Sequence, residues 1–142
     1  MDAQIRLLKR LVAALLALSM GGNGLVMLAA GHWWYGAVAG VPETGPFNAH
    51  FVKDIGAAYL VVGGAFAWLA VRPSLTARGA ALAAALFLAL HAAIHLTEAA
   101  GDPAGLADLI RDFPGVILPA LLAVWVAAAY PAKETRHAQS PA

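Results

Sequence analysis

The chain reads as all-α, an integral membrane antiparallel four-helix bundle with both termini cytoplasmic. Three observations predict this: 61% hydrophobic residues against 12% charged, four long uncharged runs, and a lopsided distribution of lysine and arginine. Ordinary soluble domains carry about 25% charged residues. The runs are Leu11–Ala30, Ile55–Val71, Gly79–Thr97 and Phe113–Tyr130, of 17 to 20 residues each. At about 1.5 Å per residue, each is long enough to cross a hydrocarbon layer roughly 30 Å thick. All 142 residues then form a single domain, with spans at about 8–30, 46–71, 77–98 and 113–131 and a flexible cytoplasmic tail at 132–142.

The first span opens with MDAQIRLLKRLVAALLALSM, a basic segment ahead of an apolar one, as in a signal peptide. The apolar run continues through GGNGLVMLAA to Ala30, longer than a signal core, so the segment is expected to be retained. Asn23, in GGNG, falls at mid-membrane, where an interhelical hydrogen bond at a close glycine contact accounts for it. The run ends in GHWWYG, whose Trp33, Trp34 and Tyr35 suit an interfacial aromatic belt.

The second span starts from VPETGPFNAHFVKDIG, with Pro46 suited to the first turn of a helix. A helix over 46–71 overshoots the bilayer and sets Phe47, Asn48, His50, Lys53 and Asp54 on its outermost turns. The third span, GAALAAALFLALHAAIHLTE, is apolar until His91, His95 and Glu98, which lie within an arc of about 60° on one helix face. Ala77, Ala81, Ala85, Ala89 and Ala93 form a small-residue stripe beside them, read as packing. The fourth span starts at Pro114 and kinks at Pro119, with no buried ionisable group.

Orientation follows from the cations. Arg6, Lys9, Arg10, Arg72, Arg78, Lys133 and Arg136 flank one side, and only Lys53 and Arg111 the other. The loops at 31–50 and 99–112 therefore face outward. A formal net charge of +1 argues against a nucleic-acid partner, and the absence of cysteine removes disulfides and thiolate chemistry. The expected surroundings are the lipid bilayer of a bacterial inner membrane, with a homo-oligomer or another membrane protein as partner.

Counted from the cytoplasmic ends, Asp54 rises about 25 Å and His95 about 24 Å, with His50 and Glu98 near 31 and 28 Å and His91 near 18 Å. Spans two and three are joined by the short VRPSLTARG loop, so the two polar sets are expected to meet. Neutral imidazole and carboxylate are ligands for zinc, iron or copper. The expected metal ligands are His50, Asp54, His91, His95 and Glu98. Asp54 and Glu98 are also the candidate general bases of a metal-dependent oxidoreductase or hydrolase, and His32 and Asn48 are candidate cofactor contacts.

Haem or quinone binding is the alternative; a haem would need His50 or His32 opposite one of the paired histidines. A non-catalytic accessory subunit or small transporter is the third reading. The span count and the segment PFNAHFVKDIGAAYLVVGG resemble small bacterial membrane proteins of the DoxX-like type, over residues 31–98. That resemblance implies a four-helix inner-membrane bundle with a redox association, and no catalytic residue to carry over.

Overall fold

A computed structural model describes residues 3–128. Helix α1 spans Ala3–Ala37, α2 Ala49–Val71, α3 Leu75–Ala100, α4 Gly105–Asp112 and α5 Leu118–Ala128. A single wide π turn, Phe113–Ile117, joins α4 to α5, making Gly105–Ala128 the fourth of four helices long and apolar enough to cross a membrane. The described residues contain no strand. The end of the fourth span and the expected tail at 132–142 lie outside them.

The packing is that of a four-helix bundle. Helix α1 lies mainly along α2, α3 packs on α2 and α5, and α5 closes back on α1. The core is built from residues such as Leu16, Met27, Phe66, Leu69, Ala81, Ala85, Leu88 and Val126. Outward faces are apolar as well, with Leu11, Leu15 and Leu18 on α1 and Leu82, Leu86 and Leu90 on α3 exposed. A helix apolar all round suits contact with lipid on one side and protein on the other.

Helix α1 packs closely against α2, and glycine makes the contact. A Cβ on Gly24 would stand 2.6 Å from the Gly56 carbonyl oxygen, and one on Gly63 would stand 2.7 Å from Gly21 Cα. Backbone meets backbone at both points, the arrangement expected where apolar attraction between helices is absent and close van der Waals packing replaces it.

The helix ends depart from the expected bounds for local reasons. Asn48, not Pro46, starts α2: its side chain accepts from the backbone N–H groups of His50 and Phe51, both at 3.1 Å. An asparagine cap satisfies two free donors, which a proline at the first position does not. Ser74 caps α3 in the same manner through Ala77 N–H.

Helix α1 runs past Ala30 but bends there, where φ and ψ are −139° and 42°. The bend carries Trp34 back toward Asn23, whose Oδ1 accepts from Trp34 Nε1 at 2.8 Å. Asn23 is therefore satisfied within α1 and not by another helix, and Trp34 is half-buried while Trp33 stays exposed.

In the fourth span the irregularity is the turn at Phe113–Ile117, which contains Pro114 and precedes Pro119, and not a kink at Pro119 alone. Leu118 N–H reaches back five residues to the Phe113 carbonyl, the hydrogen bond of a π turn. The span also begins earlier than Pro114, at Gly105.

The alanine stripe of α3 is only partly packed. Ala77, Ala81 and Ala85 are buried, Ala89 is half-buried and Ala93 is exposed. A strict four-residue repeat gains about 40° per step on a helix of 100° per residue, so it winds off the contact. The buried line shifts instead through Ala84, Leu88 and Ala92.

At the end of the bundle where α1 and α3 start, two arginines donate to backbone carbonyls of neighbouring helices. Arg10 donates to the Ala70 carbonyl at 3.0 Å, and Arg78 donates to those of Ala127 and Ala128 at 3.0 and 2.7 Å. Near the C-terminus of α2, the Arg10 guanidinium meets both a free carbonyl and the negative end of the dipole. Lys9 is buried there with its ammonium 5.3 Å from the Trp125 ring centre.

Candidate functional site

At the opposite end of the bundle, α3 presents His91 and His95 on consecutive turns. Their rings meet edge to face, with centres 4.8 Å apart. The fourth span supplies the partner: Asp112 Oδ2 lies 2.7 Å from His95 Nδ1. The Asp112 side chain is 11% exposed and that of His95 26%, so the pair is half-buried.

Asp112 is held on its other side by Arg111, whose Nε and Nη2 donate to Oδ1 and Oδ2 at 2.7 and 3.2 Å. Arg111 Nη1 also donates to Asp108 at 2.7 Å. Below the histidines, the wall is aromatic. Phe87 lies parallel to His91 with ring centres 6.4 Å apart, and Tyr59 from α2 stands edge-on to both.

One row therefore runs from Tyr59 in the core through His91, His95 and Asp112 to Arg111 and Asp108. The titratable groups that act on His91 are His95, Asp112 and Glu98. If Asp112 accepts the Nδ1 proton of His95, the Nε2 lone pair is left free to take a proton or a metal ion.

The expected meeting of α2 and α3 through His50 and Asp54 does not take place. His50 Nε2 lies 3.4 Å from Asp54 Oδ2 on the same helix, and the two side chains are 89% and 61% exposed. A contact that open is screened by solvent and holds neither side chain in place. The reason is helical phase. Tyr59 is the α2 residue that faces the histidines; His50, nine positions away, is about 180° around the helix from it, and Asp54 about 140°.

Glu98 is exposed on α3. Among the described residues no three His, Cys, Asp or Glu side chains are grouped to hold one ion, so the five expected ligands do not form a single chelating set. His32 packs edge to face on Phe47 with ring centres 5.0 Å apart, and Asn48 is occupied in capping α2. Both residues serve the loop between α1 and α2.

Asp112 and Arg111 were the residues to look for, and the sequence carried a signal for them. Leu106, Leu109, Ile110 and Phe113 recur at helical spacing, which extends the fourth helix back to Gly105 and puts Asp108, Arg111 and Asp112 on one face.

No family model matches the chain, and no curated protein or solved structure is significantly similar to it.

Proposed function

We propose that this is a multi-pass inner-membrane protein that binds a transition metal ion near its outer face through His91 and His95, with Asp112 orienting His95. The observation that carries the reading is the 2.7 Å contact between Asp112 and His95 Nδ1, a carboxylate and an imidazole brought together from two different helices. A metal-ligating histidine characteristically gives its second ring N–H to a carboxylate, which fixes the tautomer and raises the basicity of the ligating nitrogen. Ionisable groups inside membrane spans are costly and mark function. Two imidazoles on successive turns leave the other coordination positions to water or a substrate, the open arrangement of a reactive centre and not of a structural one.

The seven-to-two distribution of cations supports an orientation with the Arg10 and Arg78 end in the cytoplasm and the histidine end outside. A redox role, as the DoxX-like resemblance implies, calls for iron or copper at the site; a hydrolytic one calls for zinc.

The test uses protein purified without a histidine tag, assayed by elemental analysis and by titration with Zn²⁺ and with Co²⁺ as a visible probe. The parent binds one ion, His95→Ala loses it, and His50→Ala keeps it, since His50 faces away from the site. Full metal retention by His95→Ala refutes the reading. A Soret band in the purified protein replaces it with haem binding, and a metal-free protein that copurifies with a stable membrane partner replaces it with an accessory role.

A further inference from the structure

The loop between α1 and α2 comes close to the histidine site at Gly40. Gly40 has φ of 86°, in the left-handed region that glycine enters without strain. Its missing side chain leaves room for Arg111. A Cβ on Gly40 would stand 2.6 Å from Arg111 Cζ, 2.6 Å from Nε and 3.0 Å from Nη2. Those atoms belong to the guanidinium that grips Asp112 at 2.7 and 3.2 Å, and Asp112 in turn is 2.7 Å from His95.

The loop is itself anchored. Tyr35 Oη donates to the Gly45 and Pro42 carbonyls, and Phe47 packs edge to face on both His32 and Tyr35. Helix α1, the loop, Arg111, Asp112 and His95 thus form one continuous chain of contacts.

We infer that Gly40 and Arg111 form a latch that holds Asp112 on His95, so that the α1–α2 loop sets the affinity of the histidine site for its ligand. The inference rests on the metal reading for its ligand, while the latch itself is a matter of side-chain geometry. Arg111 is a positioning residue: it acts on the site only through Asp112. A guanidinium suits the role because its fork matches both carboxylate oxygens at once and still reaches Asp108. With its charge balanced by two aspartates, Arg111 has little to offer a ligand directly.

Gly40 matters because nothing larger leaves the fork its place. A β-carbon there meets the far end of a flexible side chain, which yields; the guanidinium swings off Asp112 while the helices stay packed. Gly45 provides a matched control. It also has positive φ, 137°, but a Cβ on it meets nothing within 4 Å. Both alanine substitutions strain the loop, and only one of them displaces Arg111.

The experiment compares Gly40→Ala, Gly45→Ala, Arg111→Gln and Arg111→Lys with the parent, in the full chain in detergent. One readout is the dissociation constant for Zn²⁺, with Co²⁺ absorbance as a check. The other is the His95 Nδ1–H signal of the metal-free protein, followed by nitrogen-15 NMR. Removing the support behind a metal-bound histidine weakens binding by about 10- to 100-fold. Gly40→Ala and Arg111→Gln are expected to fall in that range and to broaden or lose the His95 proton signal.

Gly45→Ala should match the parent in both readouts, and Arg111→Lys should recover part of the affinity through a single contact. Equal weakening by Gly40→Ala and Gly45→Ala overturns the latch, because backbone strain then explains the effect. So does an unchanged affinity in Arg111→Gln. If the parent binds neither metal, the metal reading has failed and the NMR signal decides the latch: an intact His95 proton in Gly40→Ala refutes it, and its loss there but not in Gly45→Ala upholds it.

Discussion

Gly63 and Gly64 are neighbours in α2 that meet opposite surroundings, which makes them a direct test of what holds α1 to α2. A Cβ on Gly63 would stand 2.7 Å from both Cα and N of Gly21 and 3.0 Å from the Ala17 carbonyl oxygen, whereas one on Gly64 meets nothing within 4 Å. The obstructing atoms at Gly63 are backbone and cannot rotate away. Restoring an ordinary separation of 3.4 Å from 2.7 Å means moving the helices apart by the difference, 0.7 Å, along a contact that also includes Gly24 and Gly56.

Overpacking of that kind costs about 1–3 kcal/mol. Each substitution also gains about 1 kcal/mol of helix propensity. That gain is common to the two variants and cancels in the comparison. Gly63→Ala is therefore expected to be less stable than Gly64→Ala by about 1–3 kcal/mol. Reversible unfolding in mixed micelles, with sodium dodecyl sulfate raised against a mild detergent and tryptophan fluorescence as the signal, measures the difference. Stabilities equal within about 0.5 kcal/mol, the usual limit of additivity, refute close glycine packing as the basis of the pair.

Three further outcomes are expected. Trp34→Phe removes the donor to Asn23 and leaves that carbonyl oxygen without its partner at the bend of α1, at a cost of about 0.6–2 kcal/mol in the same unfolding assay; a Phe variant as stable as the parent shows that the contact contributes nothing. Metal occupancy falls as the pH is lowered through the imidazole range, about 6.5 for an unperturbed group, because protonated imidazole cannot ligate; elemental analysis showing full occupancy at about pH 4 refutes histidine ligation. Reporter fusions in the 101–104 turn are expected to read as external, and a cytoplasmic reading overturns the proposed orientation.

Composition and periodicity determined the class of this protein. Four runs with almost no charge leave only helices that satisfy their own backbone, and a short chain of four such helices has few ways to pack other than as a bundle. The close glycine contact near Asn23 and the placing of His91 and His95 on one face of α3 are local in sequence and legible there, whereas the Asn48 cap displaced the start expected at Pro46. Height along each helix is also local, since it is residue number multiplied by rise.

Rotation about the helix axis is not local. Whether α2 turns Tyr59 or His50 toward α3 depends on where the glycines Gly56 and Gly63 seat α2 against α1, and that contact puts the two polar residues on the open side. The partner that His95 finds, Asp112, comes from a fourth helix whose phase is reset by the wide turn at Phe113–Ile117. Heights matched in the sequence, but packing between backbones chose the faces, and a carboxylate reaches a histidine only when both height and face agree.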